Sequence, residues 1–280
     1  MLLSKKQRIF KQIFLYLLLS LITFVLIFPF LWMVSTSLKP IQDIFTAEPV
    51  WIPTRPTSSH YIELATKTGF FRYFLNSLIV SAATTVVTLL VSTFFAYGVS
   101  RFKFRGRKMI LRLLLVSQMF PLVLLIIPIF TIFIKLQIVN TYLSLIIAYC
   151  TFSVPFATWM LKAYFDDFPL ELEESAMIDG CSPIGALMRV VMPLSAPSIA
   201  AVGLYSFVLS WQEFMFALTL TRTDTMRTLP VGINMMIGYR EVLWGQLMAG
   251  TTIVTIPVVI LFVYFQKYLI AGMTMGAVKG

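Results

Sequence analysis

The fold is decided by an uncharged run of 27 residues at positions 12–38, QIFLYLLLSLITFVLIFPFLWMVSTSL. A charged side chain at the centre of a bilayer costs about 2.5–3.5 kcal/mol on insertion scales, so long uncharged runs indicate segments that lie in lipid. A helix needs about 20 apolar residues to cross the hydrocarbon core. This run is long enough, and it is too long for the apolar part of a secretory signal. We therefore expect a membrane-spanning helix that is retained in the protein.

Five further uncharged runs of similar length follow along the 280 residues. Hydrophobic residues make up 59% of the chain and charged residues only 12%, whereas soluble domains average about 25% charged residues. The sequence therefore predicts one all-α membrane domain, residues 12–270, with six transmembrane helices. We place these helices at about 12–34, 74–98, 113–134, 141–161, 197–220 and 247–266.

Lysine and arginine residues between the predicted helices indicate which ends face the cytoplasm. They are concentrated in the N-terminal tail, residues 1–11, and after the second helix, whereas the loop after the third helix has only Lys135. Because cytoplasmic loops carry the basic excess, we expect both the N-terminal tail and the C-terminal tail, residues 271–280, to be cytoplasmic. The net charge of +10 is attributed to loops beside anionic lipid, and no nucleic-acid partner is expected.

The basic residues after the second helix lie outside every predicted span. A voltage sensor would carry its arginines at helical spacing inside a span, whereas these residues alternate every second position. We interpret them as a solvated topology anchor. They are Arg101, Lys103, Arg105 and Arg107.

The longest cytoplasmic loop, residues 166–196, has the sequence signals of two short helices. Pro169 suits a first helical position, and the acidic residues after it favour the positive end of a helix dipole. The helix is expected to end at Gly180, which can adopt a left-handed conformation. Ser182 and the proline after it predict the start of a second helix, which Pro193 interrupts.

The first of these two helices combines apolar residues with many acids. Leu172, Ala176 and Met177 share one face at helical spacing, and six of the chain's twelve acidic residues lie in this loop. Helices that lie on a bilayer favour Lys and Arg on the polar face, and an acidic helix would be repelled by anionic lipid. We therefore expect this helix to contact a protein partner on the cytoplasmic side.

The same loop resembles a known family motif. The EAA loop of binding-protein-dependent ABC importer permeases is similar to Glu174-Ser175-Ala176-x-x-Asp179-Gly180 followed, nine residues later, by Val190-x-x-Pro193. Ser175 and Val190 depart from the alanine and isoleucine of the family pattern but preserve size. In this family the loop forms a coupling helix, which inserts into a cleft on the ATP-binding subunit. The resemblance implies six ATPase-coupling residues: Glu174, Ser175, Ala176, Asp179, Gly180 and Pro193.

Other stretches extend the resemblance over nearly the whole chain. They resemble the carbohydrate branch of these permeases and, within it, the second membrane subunit of the maltose and oligosaccharide importers. The resemblance implies a type I ABC importer permease fold in the cytoplasmic membrane of a bacterium or archaeon. The stretches are Pro29–Lys39, Asn76-Ser77, Ala96-Tyr97 with the basic loop after it, Phe265–Tyr268 and Gly276–Gly280.

The resemblance also implies the partners of the chain. They are a related permease subunit that completes a heterodimer, two ATP-binding subunits and an extracytoplasmic sugar-binding protein. No G-x-x-x-x-G-K-[ST] sequence occurs in the 280 residues, so we expect a non-catalytic subunit without a cofactor, and ATP and Mg on the partner ATPase. His60 is the only histidine, and neither a catalytic residue nor a metal site is predicted in this chain.

The candidate substrate pathway is Trp211, Gln212 and Glu213, in the outer half of the fifth predicted span. Glu213 is embedded among apolar residues. It is either an interfacial carboxylate that reaches water, or a group that lines the sugar path or fixes neighbouring helices. Trp211 and Gln212 would offer a sugar a flat apolar face and an amide, although tryptophan is also common at span ends.

The outer loop, residues 221–246, is longer than a turn requires. Its residues alone indicate an irregular loop with several glycines. In the maltose-type family the matching segment reaches toward the sugar cleft of the binding protein. The resemblance therefore implies a binding-protein contact at Gly238, Tyr239 and Arg240, and it allows the C-terminal tail to touch the ATPase.

Two other functions stay open at this point. One is a permease of the same superfamily for another solute, such as a peptide or an amino acid. The other is a channel or a secondary carrier, although a proton- or sodium-coupled carrier would be expected to bury several ionisable groups in the membrane, where this chain offers only Glu213. No residue identifies the sugar.

Overall fold

The computed structural model describes residues 5–238 and 242–277. Its regular elements are helices, together with one isolated antiparallel bridge between Ile237 and Val242. The described residues divide into two compact units. One contains the residues up to Thr68 and those from Met235 to Thr255, and the other contains the remaining residues.

The first unit is built around the long helix α1. This helix is exposed along its apolar length, as expected for a surface that faces lipid. The segment after it is held by His60, whose Nε2 lies 2.9 Å from the carbonyl oxygen of Lys39. The helices of this unit are α1 (Lys5–Ser37), α2 (Ile41–Ile44), α3 (Ser59–Lys67) and the beginning of α14 (Trp244–Ala277).

The second unit is built around α4, which packs most extensively on α7 and α11. Serine and threonine side chains on α4 are small enough to let these helices approach closely, as is common between helices in membranes. The helices are α4 (Phe70–Arg101), α5 (Arg107–Met119), α6 (Leu122–Lys135), α7 (Tyr142–Asp167), α8 (Leu170–Ile178), α9 (Pro183–Ala186), α10 (Met192–Leu194), α11 (Ala196–Trp211), α12 (Met215–Leu220), α13 (Leu229–Asn234) and the remainder of α14.

Four helices of the described residues are long and apolar enough to cross a membrane: α1, α4, α7 and α14. Two bent helix pairs pass the same test of length and composition, which brings the number of spans to as many as six. The first pair joins α5 to α6, and the second joins the helical segment Pro183–Leu194 to α11. The chain is therefore a helical, multi-pass membrane protein.

The third predicted span, 113–134, is two helices rather than one. α5 and α6 meet at a bend of 103° between Met119 and Leu122. Pro121 disfavours the helical conformation of the residue before it, and Phe120 is accordingly extended, with φ −79° and ψ 126°. The uncharged run predicts the apolar stretch and Pro121 predicts a kink in it, and the structure shows a complete break there.

The fifth predicted span, 197–220, is also interrupted. α11 ends at Trp211 and α12 begins at Met215, while the chain before α11 is bent by 80°. Pro193 and Pro197 flank this bend, and neither has an N–H to donate to the preceding turn. The single helix predicted over 197–220 is therefore two helices, and the break between them coincides with Glu213, where the uncharged run ends.

Candidate coupling site

The first arm of the predicted coupling loop, α8, ends at a left-handed glycine. Gly180 has φ +89°, as predicted. Its N–H donates to the carbonyl of Met177 (3.1 Å), and the N–H of Cys181 donates to that of Ala176 (3.0 Å), so the last carbonyls of α8 are satisfied. Among the described residues, and apart from the two chain neighbours, no atom lies within 4 Å of the position that a Cβ at Gly180 would take. Backbone conformation, and not crowding, therefore selects glycine here.

The second arm begins at Ser182. Its Oγ accepts a hydrogen bond from the N–H of Gly185 (3.1 Å), and Pro183 occupies the first helical position. Both features follow the predicted capping pattern. The sequence therefore determines the start of this arm.

A π-helical turn, Leu187–Val191, follows α9. The N–H of Met192 donates to the carbonyl of Leu187, one residue further back than in an α-helix. Pro193 comes next and lies inside α10. The interruption predicted at Pro193 is thus a widened turn ahead of the proline, while the bend of the chain comes after α10.

Glu173 is the acid of α8 that the fold buries, with only 1% of the residue exposed. The last residue of α4, Arg101, donates from Nε to Oε1 of Glu173 (2.8 Å) and also pairs with it through Nη2. One turn earlier on α4, the Tyr97 hydroxyl donates to Oε2 of Glu173 (3.0 Å) and lies 3.2 Å from the carbonyl oxygen of Pro183. The end of α4 therefore holds both arms of the loop.

These contacts correct one prediction. Arg101 is not part of a solvated anchor, because its guanidinium is in an ion pair with the buried Glu173. Of the apolar face predicted on α8, Leu172 and Met177 are exposed, whereas Ala176 is buried together with Glu173. Glu173 and Ala176 are three residues apart and therefore share the inward face of the helix.

The outward face of the loop mixes acids with large apolar side chains. Glu174, Ser175 and Asp179 are exposed, and Ile178 is 86% exposed. Exposed apolar side chains that lie together outside a membrane indicate a surface for a protein partner. Of the six predicted coupling residues, the structure exposes Glu174, Ser175, Asp179, Gly180 and Pro193 and buries Ala176.

The three candidate pathway residues do not form one surface. Trp211 is 2% exposed, and its ring stacks on Phe207 and meets Phe74 edge-on, both at 5.6 Å between ring centres. Gln212 is exposed. The Trp211 ring therefore packs inside this chain and does not present the flat face that was predicted for a sugar.

Glu213 caps a helix. Its Oε1 accepts from the N–H of Phe216 (2.9 Å) and its Oε2 from that of Ala217 (3.1 Å), in the first turn of α12. The break between α11 and α12 leaves these N–H groups without helical acceptors, and the carboxylate supplies them. Of the two interpretations of Glu213, this geometry favours a group that fixes the helices.

An apolar cavity of about 720 Å³ lies beside α11. It brings Pro193 together with side chains of α4, α11 and α14, a grouping that no local pattern in the sequence indicates. Its lining is Thr85, Leu89, Met188, Met192, Pro193, Ala196, Ile199, Ala200, Gly203, Leu204, Phe207, Leu261, Tyr264, Phe265 and Tyr268.

The first half of the predicted outer loop is held on α4 and is partly helical. The Asn76 side chain donates to the carbonyls of Thr225 (2.9 Å) and Arg227 (2.7 Å) and accepts from the Tyr142 hydroxyl (2.7 Å). The Ser77 Oγ accepts from the N–H of the residue that starts α13 (2.8 Å). This segment, 224–229, is therefore held by hydrogen bonds to two buried side chains of α4 rather than irregular.

The predicted binding-protein contact falls at the edge of the described residues. Gly238 follows the bridge residue Ile237, whereas Tyr239 and Arg240 lie outside the described residues. The structure therefore does not bring the three residues together, and the contact stays a prediction.

Comparisons with known proteins agree with this architecture. The chain is 37% identical to the trehalose/maltose transport system permease protein of Thermococcus litoralis over 278 residues, which cover 98% of this chain and 99% of the relative. It is also 37% identical to the sulfoquinovosyl glycerol transport system permease protein of Agrobacterium fabrum over 254 residues, covering 91% and 89% of the two chains.

A solved structure has the same fold. It is a chain of a bacterial ABC transporter involved in the import of the acidic polysaccharide alginate, with a TM-score of 0.81 and 20% identity over 96% of this chain and 99% of that chain. The predicted importer permease fold is thereby confirmed. The family model for the binding-protein-dependent transport system inner membrane component matches residues 88–275. The chain therefore belongs to the family of binding-protein-dependent transport system inner membrane components.

Proposed function

We propose that the chain is a membrane permease subunit of an ATP-driven, binding-protein-dependent sugar importer. It forms one half of the translocation pathway, and α8–α10 is its coupling element toward an ATPase. One relative belongs to a trehalose/maltose transport system and the other to a sulfoquinovosyl glycerol transport system, which supports a sugar or glycoside as the substrate class. The observation that carries the coupling role is the exposed acidic and apolar face of α8, which Arg101 and Tyr97 hold in place from inside.

The proposal includes an orientation of the chain in the membrane and a set of partners. Both chain ends and residues 166–196 face the cytoplasm, and residues 221–246 face the opposite side. The chain pairs with a related permease subunit, two ATP-binding subunits and an extracytoplasmic sugar-binding protein. The ATPase subunits bind ATP and Mg and carry out hydrolysis, so this chain contributes binding and movement but no catalytic group.

The mechanism is alternating access between two permease subunits. ATP binding closes the ATPase dimer and moves α8, and the cavity between the permeases then opens outward to receive sugar from the binding protein. Hydrolysis and product release return the cavity to the inward-open state. A ligand shifts such an equilibrium only through contacts that differ between the two states. In this chain the contacts with the ATPase come from Glu174, Asp179 and Ile178.

Co-purification with the ATPase tests the coupling role. Removing the Ile178 side chain from an interface should cost about 1.5–3 kcal/mol, so Ile178→Ser should weaken ATPase binding by about tenfold or more. Ile52→Ser is the matched control, because Ile52 is equally apolar and 80% exposed but lies in the first unit. Equal loss of ATPase in both variants, or in neither, would contradict the proposed docking face.

Reconstitution tests the substrate class. The purified complex in liposomes should hydrolyse ATP faster when its binding protein is loaded with a transported sugar, and trehalose, maltose and sulfoquinovosyl glycerol are the first sugars to assay. Stimulation by peptides or amino acids instead would assign another solute. Solute flux without any ATPase subunit would point to a channel or a secondary carrier and overturn the proposal.

A further inference from the structure

Helix α4 has buried polar side chains near both ends, and each set holds a different loop. We propose that α4 is a strut that transmits movement between segment 224–229 and the coupling loop, with Arg101 and Asn76 as its positioning residues. The inference rests on the proposed function, because it requires that the coupling loop contacts an ATPase and that the other loop faces the binding protein.

At the coupling end, α4 is fastened at three points along the chain. Arg101 pairs with Glu173 in α8, with their side chains only 11% and 2% exposed. Tyr97 reaches both arms of the loop, as described above. Ser100 donates to Oδ1 of Asp166 at the end of α7 (2.6 Å). Movement of α8 relative to α4 would therefore break buried hydrogen bonds to charged groups, which are among the strong ones.

At the opposite end, α4 is fastened to segment 224–229. Asn76 is fully buried and makes three hydrogen bonds, and Ser77 makes a fourth. The Arg72 guanidinium adds a longer contact with the carbonyl of Thr225 (3.4 Å). A buried amide that lost these partners would leave backbone carbonyls unsatisfied, so the segment is expected to follow the helix.

Between these two ends α4 is one uninterrupted helix of 32 residues without proline. At 1.5 Å per residue, Asn76 and Arg101 are separated by roughly 38 Å along the axis, more than the thickness of the hydrocarbon core. The middle of the helix is held on α7 by a hydrogen bond between the hydroxyls of Thr88 and Ser153 (2.7 Å) and by one from Ser92 to the carbonyl of Val154 (3.1 Å). Such an element moves as a rigid body.

The route along the chain itself is interrupted. From the coupling loop to segment 224–229 the chain runs through α11 and α12, with a bend of 80° before α11 and a break before α12. Bends and breaks absorb displacement, because their backbone angles can change without disturbing packed neighbours. The continuous helix α4 is therefore stiffer than this route along the chain.

Variants at the two ends of α4 test the strut. Arg101→Lys keeps the charge but loses the fork that meets Glu173. Asn76→Leu keeps the approximate shape of the side chain but loses three hydrogen bonds, and Ser77→Ala is a milder change at the same end. We expect the ATP hydrolysed per sugar imported to rise by about fivefold in Arg101→Lys and Asn76→Leu, and in the same direction in Ser77→Ala. A merely structural role would lower the yield of folded complex but not change this ratio.

The matched control is Asn140→Gly. Asn140 also holds the outer loop, because its Oδ1 accepts from the N–H groups of Arg222 (2.8 Å) and Thr223 (3.1 Å), but it lies between α6 and α7. Glycine retains the positive φ of 65° at this position while removing the acceptor. The strut predicts an unchanged ratio of ATP to sugar in this variant.

A double variant that combines Asn76→Leu with Arg101→Lys tests whether the two ends of α4 act through one strut. If Asn76 and Arg101 act on one strut, the double variant should be no more uncoupled than the worse single variant, because the connection is already cut. The strut would be overturned if the two effects multiplied in the double variant. It would also be overturned if the ratio of ATP to sugar were unchanged in every α4 variant, or changed equally in Asn140→Gly. Failure of the wild-type complex to bind an ATPase at all would instead overturn the proposed function.

Discussion

The guanidinium of Arg101 and the carboxylate of Glu173 form a buried ion pair that joins the end of α4 to α8 across 72 residues of sequence. Burying two charges is expensive, and a pair of this kind contributes little net stability compared with apolar residues of the same volume. The pair instead fixes the position of α8 on α4, because leaving either charge buried without its partner is costly. We therefore expect replacement of one residue of the pair and replacement of both to have different effects on stability.

Removing one partner should destabilise the protein strongly. We expect Arg101→Ala to lower the free energy of unfolding by about 3–5 kcal/mol, because the Glu173 carboxylate is left buried and uncompensated. Unfolding of the purified chain in mixed micelles measures this change. Arg105→Ala, at an exposed position of the same basic run, should stay within about 0.5 kcal/mol of the wild type.

The double replacement Arg101→Met with Glu173→Leu should restore most of the stability, because an apolar pair of similar volume carries no desolvation penalty. If this double variant is as unstable as Arg101→Ala, then packing rather than charge compensation explains the site.

Gly180 provides a second prediction. A β-branched residue at φ +89° is strained, so Gly180→Val should disturb the turn between the two arms while leaving the protein in the membrane. We expect sugar-dependent ATPase activity and uptake to be lost together. Gly180→Asn is the control, because asparagine tolerates the left-handed conformation and no neighbouring atom would meet its Cβ. Normal uptake by the valine variant would contradict a required turn.

The turn at Gly180 could be predicted because its signals are local. Proline, serine and glycine restrict or cap the backbone within a few residues, so the ends of both arms followed from the sequence. The apolar runs were equally clear, since membrane insertion depends on composition over about 20 residues. The family motif added the coupling role as an expectation, although it did not identify Glu173.

The parts that sequence reasoning missed depend on distant contacts. Arg101 lies in a basic run that resembles an ordinary topology signal, and only its encounter with Glu173 shows otherwise. A proline predicts the kink at Pro121 but not a complete break of the helix, and the single charge of Glu213 does not by itself show that α11 ends at Trp211. Asn76-Ser77 is one of the stretches that resemble the family, but no local pattern indicates the four partners of these two residues in two other segments of the chain.

Glu213 provides a third prediction, which separates capping from substrate binding. Loss of an N-terminal cap costs about 1 kcal/mol, so Glu213→Ala should destabilise the protein by about that amount. Glu213→Gln keeps one acceptor oxygen for the first turn of α12 and should cost less. Apparent KM for sugar uptake should be the same in both variants as in the wild type. A raised KM without any loss of stability would indicate that the carboxylate contacts the sugar.

Lys39 provides the last prediction, a dependence of stability on pH. The residue is 2% exposed, and its ammonium lies 3.9 Å from the centre of the Trp32 ring and 3.4 Å from Oγ1 of Thr36. Burial lowers the pKa of Lys39, and the charge of Asp43 opposes that shift only in part. In the folded protein the ammonium form is thus disfavoured relative to the unfolded chain.

The sign of the effect follows from proton binding. Between the lowered folded-state pKa and the ordinary lysine pKa, the unfolded chain binds more protons than the folded protein, so stability rises with pH across that alkaline window. Lys39→Met keeps the apolar stem beside Trp32 and removes the titration, so its thermal midpoint should not share the rise. The measurement is the thermal midpoint of both proteins at a series of pH values from neutral into the alkaline window. Parallel curves for the two proteins would show that Lys39 does not control this dependence.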